Sequence, residues 1–196
     1  MSGGVEIRVD QIGGNQIERA NKLLAGIGNG EALRSVVYNA LKRAGDSAKT
    51  KAGQFAAAEY TINKGSFMSK TKVQYHMGYG GGSLSGGLAS LGISFAGAVI
   101  PLLEFNTHYS KNGGMTTQVK RGGGATLDHV FAARVFGPIA AYERLTKKRF
   151  PVEGKFGPST GHMMQNEQVI DQMDDTIREV FDNRIEHEIT RILNGW

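Results

Sequence analysis

From Val169 onward the apolar side chains recur at Met173, Ile177, Val180, Phe181, Ile185, Ile189, Ile192 and Leu193, a three-to-four spacing sustained for about 25 residues. This pattern predicts a long C-terminal helix, within 160–196, whose stripe must be buried against something. Its start is set locally. Gly157 permits a tight turn, Pro158 fixes its own φ and biases Gly157 away from the helical region, and the Ser159 oxygen can cap the first free N–H groups. At the other end of the chain, Val5, Ile7 and Val9 alternate with polar residues and predict a short strand closed by Asp10 to Gly14. A helix is expected from Asn15 to Ile27, ended by Gly28-Asn29-Gly30. A longer one follows from Glu31 to near Tyr60, with Leu33, Val36, Val37, Ala40, Leu41, Ala44, Ala48, Phe55 and Ala56 on or near one face, and with Gly45 and Gly53 weakening its middle. A helical turn is expected at Lys64 to Lys70.

From Leu88 the period changes to two. Leu91, Ile93 and Phe95 alternate with small or polar residues, and Val99 to Phe105 is an apolar run, so two adjacent strands are expected. Further strands are expected at Met115–Arg121, Leu127–Val135 and Ile139–Leu145. The connections are too short for helical crossovers, which predicts antiparallel pairing. Helices before and after a run of strands give an α+β class: an antiparallel sheet packed against a long N-terminal and a long C-terminal helix, in one domain over 1–196. Between Asn106 and Ala125 the chain is either a β-hairpin arm that reaches a neighbouring subunit or a mobile surface loop.

Composition sharpens this picture at two points. The 28 glycines among 196 residues are about twice the usual share, and they bunch into loops such as Gly78 to Gly87 and Gly122 to Gly124, as expected of segments that order on assembly. The net charge of +5 is unevenly spread, with +2 over residues 1–60, +8 over 61–157 and −5 over 158–196. A basic middle and an acidic terminal helix can be two solvated surfaces, or can attract each other in head-to-tail contact between neighbours. The absence of cysteine excludes disulfides, thiolate zinc sites and thiol nucleophiles. The N-terminus has no basic and apolar leader, and no run approaches the ~18 apolar residues of a membrane span, so a soluble protein that is not exported by itself is expected.

Candidate chemistry is thin. Gly157-Pro158-Ser159-Thr160-Gly161 matches the nucleophile elbow G-x-S-x-G, but too little chain follows to supply the acid and histidine that such a site needs. Ser159 is therefore read as a helix cap and no catalytic residue is assigned. Neither glycine run has the spacing of a phosphate loop. His76, His108, His129, His162 and His187 show no ligand spacing, and Asp171, Asp174, Asp175 and Glu179 are read as a solvated acidic face, so neither metal nor cofactor is expected. What remains is a cluster of cations: Lys120, Arg121, Arg134, Arg144, Lys147, Lys148, Arg149 and Lys155. Tyr142, Phe150 and Phe156 interleave with it and alternate as strand core residues would. The cluster can face DNA phosphates without reading sequence, face a protein partner, or serve solubility.

The run Tyr142-Glu143-Arg144, Lys148-Arg149-Phe150-Pro151-Val152 and Phe156-Gly157-Pro158-Ser159, preceded by Val130-Phe131-Ala132-Ala133-Arg134, resembles the prophage minor tail protein Z family. The stretch Ile100-Pro101-Leu102-Leu103-Glu104-Phe105 is similar to another strand of that family. The resemblance is specific between about Val130 and Ser159, with Tyr142, Arg144, Phe150, Pro151, Gly157, Pro158 and Ser159 as its structural motif. It implies a non-enzymatic virion protein of a long-tailed bacteriophage, assembled in the host cytoplasm and acting at the head-proximal end of the tail. It also implies a homo-oligomeric ring, hexameric by the symmetry of that site, with tail terminator, tail tube or neck proteins as partners and no membrane contact.

Overall fold

The computed structural model describes residues 4–25, 30–80, 88–111, 113–135 and 137–195. It is an α+β protein with antiparallel sheets and two long helices, the class expected from the periodicity. In chain order the elements are β1 (Gly4–Ile12), α1 (Gly14–Leu24), α2 (Glu31–Glu59), α3 (Lys64–Ser69), β2 (Lys72–Gly80), β3 (Leu88–Ala96) and β4 (Val99–Pro101). A 3-10 turn, Leu102–Glu104, leads to β5 (Asn106–Tyr109), β6 (Met115–Gln118), β7 (Ala125–Leu127), β8 (Val130–Ala133) and β9 (Ala140–Arg144). The chain ends with β10 (Val152–Gly154), β11 (Phe156–Ser159), α4 (Thr160–Met164) and α5 (Glu167–Leu193). These elements gather into two compact units. One comprises Met1–Val5, Gly53–Lys72 and Phe95–Val169; the other comprises Glu6–Ala52, Val73–Ser94 and Ile170–Trp196. The expected closure of α1 at Gly28-Asn29 and most of the glycine run after Gly80 lie outside the described residues.

In the second unit β3 lies between β1 and β2. Ala89, Leu91 and Ile93 point inward at period two and are fully buried. In β1 the alternation that buries Ile7 and Val9 slips by one residue at Gln11, whose φ of 56° is left-handed, and Ile12 is thereby buried as well. The carbonyls of Asp10 and Gln11 at this irregularity accept hydrogen bonds from the Arg178 guanidinium at 3.3 and 3.4 Å. In α2 the buried positions include Ala40, Ala44, Ala48 and Ala52, one small side chain per turn. Gly45 belongs to this close-packed face: a Cβ there would lie 3.1 Å from the Tyr75 ring. The glycine admits an aromatic neighbour from β2 rather than merely weakening the helix. Along α5, Met173, Ile177, Phe181, Ile185 and Ile189 are buried. A constant four-residue step drifts by about 40° each time, so the buried stripe winds around the helix. Leu193, expected on that stripe, is 50% exposed.

The first unit is built of short antiparallel strands. β5, β6 and β7 form a meander, β8, β9 and β10 a second sheet, and β4 pairs with β11. Leu102, Met115, Val130 and Ala141 form a buried cluster with Leu103, Val119, Leu127 and Ala132 against it. The apolar run Val99 to Phe105 is not one strand. Pro101 has no N–H to continue the ladder and stands before the 3-10 turn, and β4 pairs with β11 rather than with β3. β5 and β6 do pair as a hairpin, with Thr107 opposite Thr117 and Tyr109 opposite Met115. It is seated on the unit's own core through Met115, 2% exposed. Gly53, inside the last turns of α2, is another contact point: a Cβ would lie 2.9 Å from Met68 Cγ.

The segment 160–196 is two helices rather than one. Gln165 and Asn166 separate them, and the Asn166 side chain accepts a hydrogen bond from Gln168 N at 3.0 Å, starting α5 afresh.

Candidate functional site

β9 and β10 form a hairpin in register Tyr142 to Gly154, Glu143 to Glu153 and Arg144 to Val152. Beyond this ladder Leu145 N donates to Pro151 O at 3.3 Å, and Lys148 N donates to Thr146 Oγ1 at 3.2 Å, so the connection is a structured turn with the Phe150–Pro151 peptide in cis. Every residue from Arg144 to Pro151 is exposed. The aromatic and basic stretch is therefore strand, turn and strand, and the seven-residue turn resets the register. Tyr142 is buried as expected, whereas Phe150 and Phe156, expected in the core, are 53% and 54% exposed.

Among the described residues, Lys147, Lys148 and Arg149 have no carboxylate partner. Arg149 stands 5.8 Å from the centroid of the Phe150 ring, and Arg144 stands 5.0 Å from that of Phe131, within range of cation–π attraction. Leu145 and Phe150 flank the cations at the base of the tip, both more than half exposed. The tip thus combines an unneutralised triplet of cations with two large apolar side chains left in water.

The other expected cations are dispersed. Lys155 lies between Glu143, at 2.6 Å, and Glu153, at 2.9 Å. Hydrogen bonds to Glu143 first, then Glu153, hold its ammonium above the ordinary lysine value, and its charge is spent locally. Arg121 N donates to Glu59 O at 2.8 Å and its Nε to Ala57 O at 3.0 Å, satisfying carbonyls of the last turn of α2. Lys120 is bridged to Tyr60 beside it. Arg134 follows the Ala133–Ala140 pair, at the end of the β8–β9 ladder away from the tip. The sequence cluster of eight therefore resolves into one tip, Arg144 with Lys147, Lys148 and Arg149, and four residues placed elsewhere.

The remaining motif residues have structural duties. Gly157 lies in β11 rather than in a turn, and Pro158 lies in the same strand. Ser159 is the N-cap of α4, its Oγ accepting from His162 N at 3.2 Å. No group of three His, Asp or Glu among the described residues is placed to hold a metal ion, and none of their helices is long and apolar enough to cross a membrane. The chain matches no family model, and no curated protein or solved structure is similar to it.

Proposed function

We propose that this chain is a structural virion protein that completes the head-proximal end of a phage tail, at or near the tail terminator and the head–tail junction, as a homo-oligomeric ring around the DNA path. The resemblance of Val130 to Ser159 to minor tail protein Z supplies the setting, and a hexamer is the ring order that setting suggests. The observation that carries the reading is the β9–β10 tip. Exposed Leu145 and Phe150 beside unpaired Lys147, Lys148 and Arg149 form a surface whose apolar area is recovered by docking, and arginine and aromatic side chains are favoured at such interfaces. The exposed carboxylates Asp171, Asp175 and Glu179 of α5 offer a complementary surface on a neighbouring copy. A tip meeting an acidic helix is a heterologous contact, the kind that closes into a ring when its rotation allows. Terminator, tube or neck proteins are the other partners of this reading, and assembly takes place in the host cytoplasm.

The same tip favours a second reading, a non-specific nucleic-acid-binding module. Lysines contact phosphates without sequence preference, and an exposed phenylalanine offers a base a stacking surface. Light scattering at low and high salt, with and without duplex DNA and tail-end partners, separates the two. A closed oligomer that forms without DNA supports the ring; a monomer whose mass changes only when DNA is added, with steep loss of binding in salt, supports the module instead.

A further inference from the structure

The second unit contains a cleft of about 270 Å³ between α2 and α5 that the hairpin reading leaves unused. At its floor is Glu188, a carboxylate only 1% exposed. Arg191 Nη2 lies 3.0 Å from its Oε2, Asn39 Nδ2 donates to the same oxygen at 3.3 Å, and the Arg184 guanidinium rests against Oε1 as an ion pair. Oε1 nevertheless lacks hydrogen-bond geometry to any donor, and the buried Arg184 Nε has no acceptor. Each guanidinium carries five N–H donors, so one carboxylate does not exhaust two arginines, whose side chains remain 38% and 43% exposed.

Lys42 and Arg43 line the same cleft from α2. Both are exposed, and neither has a carboxylate partner among the described residues. The other carboxylate in the wall, Asp46, accepts the Tyr75 hydroxyl at 2.9 Å. Four cations thus face two carboxylates in one concavity. Glu188 holds Arg184 and Arg191 in place without matching both charges, and among the described residues no carboxylate pairs with Lys42 or Arg43.

We infer that this cleft binds a phosphate group. Two guanidiniums fixed by a buried carboxylate are pre-organised, which lowers the ordering cost of binding. Their planar donor forks suit the oxygens of phosphate, while Lys42 supplies a compact point charge. The cleft has room for a phosphate with a small substituent, and its walls are polar side chains rather than the apolar lining of a site for a larger organic ligand. The inference does not depend on the hairpin tip, which belongs to other residues.

The test is a titration of the full chain with inorganic phosphate at constant ionic strength, by calorimetry and by thermal shift. Saturable binding to one site is expected, with a phosphate-dependent rise in Tm. Lys42→Ala/Arg43→Ala should weaken it by about tenfold or more, the scale of losing one to two charge-assisted hydrogen bonds, without changing the Tm measured in the absence of phosphate. Lys72→Ala/Lys111→Ala, which removes two exposed cations elsewhere, should leave binding intact. Displacement of the bound phosphate by duplex DNA would assign the site to backbone phosphates, and failure to displace it would assign the site to small phosphates. Absence of saturation, or equal binding by the Lys42→Ala/Arg43→Ala protein, overturns the inference.

Discussion

The ring of Phe105 fills the place where a side chain at residue 157 would sit: a Cβ built on Gly157 would lie 2.8 Å from Phe105 Cζ. The glycine of the 157–159 motif therefore serves close approach in β11. Gly157→Ala forces the ring aside in a packed environment, and a loss of about 2 kcal/mol is expected, read as a lower urea midpoint. Adding Phe105→Leu should return part of it; an alanine variant as stable as the parent would remove the packing role.

Two residues along, Ser159 caps α4 through His162 N. Ser159→Ala should lower stability by about 1 kcal/mol, and Ser159→Asp, which retains an acceptor, should lower it less. Chemical denaturation of the three proteins ranks them directly.

How much of this was legible in the sequence depends on how far each signal reaches. The buried faces of α2 and α5 follow from period alone, because each helix repeats the same demand turn after turn. Strand β2 carries an equally clear alternation of half-buried Val73, Tyr75, Met77 and Tyr79, a strand absent from the expected elements because the glycine run that begins at Gly78 blurs its end. At the hairpin, Tyr142, Phe150 and Phe156 suggested one alternating set, and only the turn between them shows that one points inward and two outward. The glycines of α2 looked like defects because the neighbours that need them, Tyr75 and Met68, are remote in sequence. Glu188 has a signal in the sequence, since arginines four residues before it and three after it are the helical spacing of an ion-paired carboxylate; its burial, set by packing against a remote helix, has none.

Breaking that last arrangement gives a third expectation. Glu188→Ala leaves Arg184 and Arg191 without their shared anion, but both side chains are more than a third exposed and can rehydrate. The cost should be about 2 kcal/mol, below the 3–5 kcal/mol, roughly, of a fully sealed pair. Urea denaturation of Glu188→Ala and Glu188→Gln measures it, with the glutamine variant the less affected because it keeps an acceptor for Asn39.

Asp182 gives a pH-dependent expectation. Burial raises its carboxyl above the usual value, Arg178 opposes that shift, and Glu186 adds to it; its Oδ1 is buried without a hydrogen-bond partner. A raised folded-state value means that the charged form is the destabilised one. The cost is absent below the unfolded carboxylate range and present in full above the raised value. Asp182→Asn should therefore stabilise the protein by about 1 kcal/mol at neutral pH and make no difference near about pH 3. A gain independent of pH would assign the effect to something other than ionisation.

Whether the β9–β10 tip joins this chain to its neighbours, as proposed, is decided by sedimentation of the wild-type protein beside Leu145→Ser/Phe150→Ser. Both side chains are exposed, so the variant should keep the folded protomer, read as an unchanged far-UV spectrum, and lose only the stability that association adds. The expected result is a closed oligomer for the wild type and a monomer for the variant over the same concentrations. A wild-type protein that stays monomeric even with tail-end partners, or a variant that assembles as the wild type does, would contradict it.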